Sequence, residues 1–404
     1  MQQTQKLKQK VLKLQTQNFD DLALEIFRFQ AQHNSVYQQY LQYLNVQADT
    51  IKTIEQIPFL PIEFFKTQTV VTGDNPIKTI FESSGTTGQN TSRHHVADPD
   101  FYLEVAEQIF EKFYGKLADF QILALLPSYL ERTNSSLVYM VEHFIKKSNN
   151  PNSGFFLNDY EKLAKVLKGD RSKEMGEMET TNSEHPTSNP KPRTSKTLLI
   201  GVTFGLLDFV ESGTAGVPAA GVPIDLSFLK DRNDLIVMET GGMKGRRKEL
   251  LREEVHEILT KAFHVDSIHS EYGMTELLSQ GYSSGEGIFD LPVSMKILFR
   301  DVNDPFSYVN NARSGGINVI DLANIDSCCF IETKDLGVDV RDSMFDVRGS
   351  TNLPSDLLVK TPTKAENSMF DATNASNIEI QTSKFKILGR FDNSDIRGCN
   401  LMIS

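Results

Sequence analysis

DLIVMETGG (residues 234–242) is a short apolar run that ends in two glycines, and the charged stretch KGRRKELLREEVHEILTKAF (244–263) follows it. The first stretch predicts a buried strand and the second a helix. TLLIGVTFG (197–205) predicts a further strand of the same kind. Short apolar runs that are bounded by glycine and alternate with helices indicate an α/β fold with a largely parallel sheet.

The same alternation continues towards the N-terminus. Residues 120–129 predict a strand, and helices are predicted near 99–117 and at 135–148. Residues 18–45 predict one amphipathic helix, because apolar side chains recur there at helical spacing. The alternation therefore extends over much of the chain.

Composition restricts the class of protein. The chain has 404 residues, of which 39% are hydrophobic and 24% charged, as in globular proteins. A net charge of −11 argues against binding nucleic acid through a broad basic face. The two polar stretches 171–196 and 340–382 are poor in apolar residues and predict disordered or loose insertions.

The few cysteines indicate a reducing compartment. Only Cys328, Cys329 and Cys399 are present, which argues against a disulfide framework. Cys328 and Cys329 are predicted inside a strand. No apolar run is long enough to span a bilayer, and residues 1–17 have no apolar core of a secretory signal. We therefore expect a cytoplasmic protein with no membrane span.

One polar stretch, ESSGTTGQNTSRHH (82–95), lies between an extended run and a predicted helix. Such a loop can bind phosphate, since glycines let backbone N–H groups approach an anion and hydroxyls add donors. It is not the mononucleotide P-loop, because no lysine follows Gly88 within the loop. The residues alone leave an ordinary polar loop and a phosphate site evenly balanced.

Four motifs resemble the adenylate-forming superfamily of acyl-CoA synthetases, luciferases and peptide-synthetase adenylation domains. In order along the chain they are SSGTTGQNTSR (83–93), EYGMTE (271–276), TKDLG (333–337) and GRFDNSDIRG (389–398). Within the superfamily the chain most resembles the acyl-protein synthetase of the bacterial luminescence fatty-acid reductase. Further stretches carry that resemblance, among them IPFLPIEFFK (57–66), METGGMKGRRKEL (238–250) and IHSEYGMTELLSQGYS (268–283).

The resemblance implies a large α/β domain of the adenylate-forming N-terminal type, with mixed sheets packed with helices and lacking most or all of the small C-terminal domain. It places an N-terminal helical segment at 1–56, the main domain at 57–388 and a hinge-like motif and tail at 389–404. The implied reaction is ATP-dependent activation of a carboxylate, expected to be a fatty acid, as an acyl-adenylate. The acyl group then passes to a protein cysteine.

The resemblance also assigns roles to residues, with ATP and Mg²⁺ as cofactors. The expected clamp for the β- and γ-phosphates comprises Ser83, Ser84, Gly85, Thr86, Thr87 and Gly88. Other expected nucleotide-binding residues are Gly241 and Gly242 at the adenine, Tyr272 stacking on it, Gly273, Thr275 at the α-phosphate, Asp335 at the ribose and Arg390. Glu276 would hold Mg²⁺. Three of these residues also have a purely structural interpretation. Tyr272 could be an aromatic residue of the core, Glu276 an acid at a helix N-terminus, and Asp335 a turn residue.

Cys399, near the C-terminus, is the expected acyl acceptor, and an acyl-accepting reductase or another acceptor protein is the expected partner. Alternatively, Cys399 is an inert, small apolar residue in a terminal strand. The lysine that most of the superfamily carries in the small C-terminal domain has no counterpart that can be assigned here. A truncated acyl- or aryl-CoA ligase and a non-catalytic nucleotide-binding partner subunit remain as alternatives.

Overall fold

The computed structural model describes residues 2–83, 91–126, 134–169, 196–214, 225–241, 250–309, 314–340 and 384–390. The predicted insertions at 171–196 and 340–382 lie outside these residues, except for Lys196 and Val340 at their edges. The tail with Cys399 also lies outside them.

The described residues form α-helices and β-strands in an alternating order. The helices are α1 (Gln2–Leu12), α2 (Phe19–His33), α3 (Ser35–Tyr43), α4 (Phe64–Thr67), α5 (Pro99–Tyr114), α6 (Ser136–Ser148), α7 (Tyr160–Lys168), α8 (Thr203–Thr214) and α9 (Arg252–Phe263). The strands are β1 (Leu60–Pro61), β2 (Thr79–Glu82), β3 (Arg93–Val96), β4 (Phe120–Leu125), β5 (Gly154–Phe155), β6 (Lys196–Gly201), β7 (Leu235–Glu239), β8 (His269–Tyr272), β9 (Gly281–Ser283), β10 (Ile288–Asp290), β11 (Met295–Arg300), β12 (Gly315–Asp321), β13 (Phe330–Asp339) and β14 (Lys384–Arg390).

Twelve strands form one sheet, in the order β11-β12-β13-β14-β10-β9-β8-β7-β6-β4-β5, with β1 paired to β13. The half from β5 to β8 is parallel. From β8 to β11 every neighbouring pair is antiparallel. The prediction of a largely parallel sheet is therefore wrong for this second half, and the sheet is mixed. Apolar runs in the two halves look alike in sequence because both are buried.

Helices cover both faces of the parallel half. Leu198 and Ile200 on β6 belong to a core that includes residues of α5 and α6. Leu199 between them belongs to a second core with residues of α7, α8 and α9. Successive strand residues point to opposite faces, so burial on both faces produces the continuous apolar run seen in the sequence.

The predicted single helix over 18–45 is instead two helices, α2 and α3. Asn34 separates them with an extended backbone (φ −109°, ψ 106°), and its side chain accepts a hydrogen bond from the Tyr37 backbone N–H as the N-cap of α3. The Asn34 amide also donates to the Ser327 carbonyl at 2.8 Å. A buried tertiary contact thus interrupts a pattern that is helical throughout.

The N-terminal helices pack into the same core as the sheet. Gln30 on α2 donates to the Asn324 carbonyl at 2.9 Å and accepts from the Cys329 N–H at 3.0 Å. On α1 the buried Lys8 ammonium pairs with Asp98 at 2.8 Å and with Asp326 at 2.5 Å. Removing one partner of such a buried group of charges leaves the others uncompensated, so α1 is held firmly.

Three local predictions need correction. The run at 197–205 is a strand only to Gly201, and α8 begins at Thr203. The described helix after β7 begins at Arg252, and residues 242–249 lie outside the described part of the chain. Cys328 and Cys329 are buried, but they lie in the turn just before β13 and not inside a strand.

Within the described residues, no helix has both the length and the apolar character needed to cross a bilayer.

Candidate active site

The polar loop connects two antiparallel strands, because β2 pairs with β3 in a separate two-stranded sheet. A strand, Arg93–Val96, therefore stands between the loop and α5, and the expected direct step from loop to helix is wrong. Ser83 and Ser92 close the base of the loop: the Ser83 N–H donates to the Ser92 carbonyl, and the Ser92 N–H to the Ser83 Oγ, each at 3.0 Å. Residues 84–90 lie outside the described part.

Ser92 also connects the loop to Glu276. The Glu276 side chain is buried, and a hydrogen bond from Ser92 partly offsets the effect of burial, which raises the pKa of its carboxyl. The Asn324 amide donates to the Glu276 carbonyl at 2.8 Å. Two motifs that are far apart in the sequence therefore meet at one buried carboxyl.

His94, two residues after Ser92, makes a second connection. Its Nδ1 lies 2.9 Å from the Thr275 carbonyl, so the neutral ring with a proton on Nδ1 donates there. Burial lowers the pKa of His94 to about 4, while the bond to Thr275 acts in the opposite direction. The uncharged imidazole thus fixes the backbone between Gly273 and Glu276.

We expect this buried histidine to make the protein sensitive to acid. The folded-state pKa of about 4 lies below the ordinary 6.5, so stability present above pH 6.5 is lost as the pH falls towards 4. The loss amounts to roughly 3 kcal/mol. Urea unfolding of His94→Asn between pH 7 and pH 4 should show a correspondingly weaker pH dependence. His264→Asn, at an exposed histidine, is the control, and an unchanged pH dependence in His94→Asn would contradict a buried neutral ring.

Tyr272, Asp335 and Arg390 form a hydrogen-bonded group. The Tyr272 hydroxyl donates to one oxygen of Asp335 at 3.0 Å, and the Arg390 Nε donates to the other at 2.9 Å. Asp335 and Arg390 are direct cross-strand partners on β13 and β14. The ring of Tyr272 packs edge-on against Phe289 and Phe385 and is 5% exposed. The structure therefore uses Tyr272 as a core aromatic and as a donor, and its stacking on adenine stays a prediction.

This group lies next to Glu276. The Arg390 charge lowers the pKa of the Glu276 carboxyl, and the Asp335 charge raises it. The Asp335 charge in turn raises the pKa of the Arg390 guanidinium. The described candidates Ser83, Glu276, Asp335 and Arg390 therefore lie in one region, which adjoins the carboxyl end of the parallel strand β8.

The backbone after β7 is held by Glu239. The buried Glu239 carboxylate accepts from the Gly241 N–H at 2.6 Å and from the Thr203 hydroxyl at 2.9 Å. Hydrogen bonds and the nearby Arg252 lower its pKa to about 2 despite burial. Gly241 has a φ of +73°, which favours glycine. Gly242 lies outside the described residues.

Sequence reasoning missed several residues that organise this region: Ser92, Glu239, Asn324 and Asp321. Asp321 is fully buried and accepts from the Leu278 and Ser279 N–H groups at 2.7 and 2.9 Å, which orders the chain after Glu276. All four lie in stretches that carry the resemblance or beside them, but nothing in their spacing singles them out.

The metal assignment rests on Glu276. Among the described residues, no three histidine, cysteine or acidic side chains are grouped so as to hold a metal ion. A single buried carboxylate suits Mg²⁺, which binds through one or two carboxylates together with substrate phosphates. Glu276 therefore fits a metal held mainly by nucleotide.

Residues 10–135 match the model of a family described as LuxE, acyl-protein synthetase. This part of the chain is LuxE-like. For this part of the chain the match confirms the inferred resemblance, and it includes the first of the four motifs with the whole β2–β3 hairpin. A comparison with curated proteins finds no match.

Solved structures of 2-hydroxyisobutyryl-CoA ligase resemble this chain in fold. An open conformation in complex with 2-HIB-AMP and CoA has a TM-score of 0.56 and 11% identity, covering 93% of this chain and 75% of that one. The thioesterification-state complex has a TM-score of 0.55 and 12% identity, covering 81% and 65%. The postadenylation-state complex has a TM-score of 0.53 and 10% identity, and the match covers 79% of this chain and 63% of that one. At these identities the likeness concerns the fold, and it confirms the expected mixed α/β class.

Proposed function

We propose that this protein uses ATP to activate a carboxylic acid as an acyl-adenylate and then transfers the acyl group to a protein thiol. One observation carries the proposal: the strand that follows the polar loop meets the Thr275–Glu276 segment, where His94 Nδ1 lies 2.9 Å from the Thr275 carbonyl. The match to acyl-protein synthetases supports the same reaction.

In the first step a carboxylate oxygen of the acid attacks the α-phosphorus of ATP. The new P–O bond forms as the bond from the α-phosphorus to the bridging oxygen breaks, and pyrophosphate leaves. Such a step depends on positioning and on neutralising phosphate charge. The loop from Ser83 to Gly88 would hold the β- and γ-phosphates, Thr275 would contact the α-phosphate, and Asp335 would accept from the ribose hydroxyls.

Glu276 would hold Mg²⁺, which when bound supplies positive charge to the phosphate oxygens. Arg390, paired with Asp335, adds a fixed positive charge beside the same region. Tyr272, Gly241 and Gly242 would border the adenine. Each of these assignments is part of the proposal.

In the second step a thiolate attacks the acyl carbonyl carbon, the C–S bond forms, the C–O bond to the phosphate breaks, and AMP leaves. We propose Cys399 as this thiol, a fatty acid as the acid, and a reductase or another protein as the final acceptor. A reducing compartment such as the cytoplasm would keep Cys399 available, because the thiolate is the nucleophile.

The test is carboxylate-dependent exchange of labelled pyrophosphate into ATP, measured over a panel of acids of increasing chain length. We expect exchange that requires both an acid and Mg²⁺. Absence of exchange with every acid would overturn adenylation. Labelled acid plus ATP should in addition leave a hydroxylamine-sensitive label on the protein, and a label that persists in Cys399→Ser would refute that acceptor.

A further inference from the structure

Three polar side chains lie together on the far side of the Tyr272 backbone. Glu271 precedes Tyr272 on β8 and pairs across the hairpin with Tyr282 on β9, so these two side chains share one sheet face and Tyr272 points to the other. Gln280 joins them near Gly273: a Cβ on Gly273 would overlap Glu271 Oε1 and would lie 3.7 Å from Gln280 Cγ. We call Glu271, Gln280 and Tyr282 the polar triplet.

The polar triplet is short of hydrogen-bond partners within the described part of the chain. Gln280 and Tyr282 are each 3% exposed, yet the Gln280 Oε1 and the Tyr282 hydroxyl are buried without a partner there. The Glu271 carboxyl likewise makes no hydrogen bond or ion pair to a described residue. Leaving a buried polar group unpaired costs roughly 1–3 kcal/mol, so the buried Gln280 Oε1 and Tyr282 hydroxyl together need an explanation.

The environment of Glu271 favours the protonated form of its carboxyl. Burial, together with the nearby Glu239 charge, raises the pKa of the carboxyl to about 8. A protonated carboxyl has an O–H donor as well as an acceptor oxygen. With Glu271 in that form, the polar triplet offers donors and acceptors without a net charge.

An aromatic surface adjoins the polar triplet. Tyr102 on α5 is close enough to Glu271 for the carboxylate charge to contribute to the raised pKa of the tyrosine. Tyr102 stacks on Tyr139 of α6 at 6.4 Å between ring centroids and contacts Phe81 of β2 edge-on at 5.6 Å. Phe81 lies two residues before Ser83. Tyr102 and Phe81 are buried and Tyr139 is partly exposed, so Glu271 has polar neighbours in the triplet and aromatic neighbours around Tyr102.

The polar triplet reaches the protein surface at one end. Gly273 is exposed and Glu271 is partly exposed, whereas Gln280 and Tyr282 are buried behind them. The Tyr272 ring points to the opposite face, towards Asp335. An acid whose carboxylate meets the α-phosphate at Thr275 would extend away from the proposed nucleotide site, and we place its chain on the Glu271 side of the backbone.

From these contacts we propose that the polar triplet binds a hydroxyl group on the acid substrate, so that the preferred substrate is a hydroxylated carboxylic acid. A hydroxyl supplies one donor and one acceptor without charge, which matches the unpaired Gln280 Oε1 and Tyr282 hydroxyl. The aromatic surface would pack against the hydrocarbon part of the same acid. The inference rests on the proposed adenylation and specifies its substrate class.

The experiment compares pairs of acids of equal chain length, with and without a hydroxyl at successive positions from the carboxylate, in ATP–pyrophosphate exchange. We expect kcat/KM for at least one hydroxy acid to exceed that of its unsubstituted partner by about tenfold or more, since a site with buried polar groups rejects analogues that leave them unpaired. Gln280→Leu and Tyr282→Phe should each reduce this ratio several-fold, because each removes one of the unpaired groups.

Tyr114→Phe is the matched control for Tyr282→Phe. The Tyr114 ring packs against Tyr282, but its hydroxyl lies 3.1 Å from His269 Nδ1 and is not part of the triplet, so the preference should persist. Equal use of both acids by the wild-type protein, or an unchanged ratio in both triplet variants, would overturn the inference while leaving adenylation intact. Absence of exchange with any acid would instead overturn the proposed function, and this inference with it.

Discussion

Replacing Glu276 with glutamine is expected to lower ATP–pyrophosphate exchange by about 100-fold or more without harming the fold. Loss of one group that stabilises charge in a transition state typically costs a factor of about 100 to 1,000. Ser92, Arg390 and Asp335 all act on the pKa of the buried Glu276 carboxyl, and glutamine keeps its shape but removes its charge.

The same substitution should leave the melting temperature unchanged or raise it. Burial raises the pKa of Glu276, which means that the ionised carboxylate is disfavoured in the folded protein. A neutral amide removes that cost, so activity and stability should change in opposite directions. Glu257→Gln, at an exposed residue paired with Lys261, should alter neither. Near-normal exchange by Glu276→Gln would remove Glu276 from the proposed site.

Replacing Asp335 with alanine is expected to raise the KM for ATP roughly 10- to 100-fold, with a smaller effect on kcat. Hydrogen bonds to a charged group contribute about 1.5–3 kcal/mol, and 1.4 kcal/mol corresponds to a factor of ten. Asp335 is buried, but its partner Arg390 has a 71% exposed side chain, so the arginine can be rehydrated once the carboxylate is gone.

Deoxynucleotides show whether Asp335→Ala raises the KM for ATP by losing a contact to the ribose or by disturbing the site in general. Wild-type protein should use 2′-deoxy-ATP or 3′-deoxy-ATP less well than ATP, whereas Asp335→Ala should no longer distinguish at least one of them from ATP. Asp290→Ala, at a less buried acid of β10, is the control and should discriminate as the wild type does. Equal discrimination by Asp335→Ala and wild type would show that Asp335 does not bind the ribose.

Several local elements were predictable because their signals are local. The helix at 135–148 is present as α6, and Ser135 caps it by accepting from the Val138 N–H. The strands near 120 and 235 are present as β4 and β7. In each case the apolar pattern and the terminal residues lie within one short stretch, so no distant contact was needed to recognise them.

Other elements were not predictable because distant contacts decide them. The break at Asn34 depends on Ser327, and the strand Arg93–Val96 exists because it pairs with β2. The direction of pairing cannot be recognised from burial, since β11 and β12 of the antiparallel half are as buried as β4 and β6 of the parallel half. The local sequence pattern indicates whether a strand is buried. The direction of a strand depends on how it is connected to the preceding strand and on which strand it pairs with.

The sequence by itself determined the α/β class and the order of four motifs, because both are properties of short stretches read in succession. Only the tertiary structure brings described residues of the four motifs together. His94 meets Thr275 across 181 residues, and Asp335 meets Arg390 across 55, through strand register and buried hydrogen bonds. The polar triplet likewise becomes visible only when the β8–β9 hairpin brings Glu271 opposite Tyr282. These contacts depend on how distant segments pack, which no local pattern encodes.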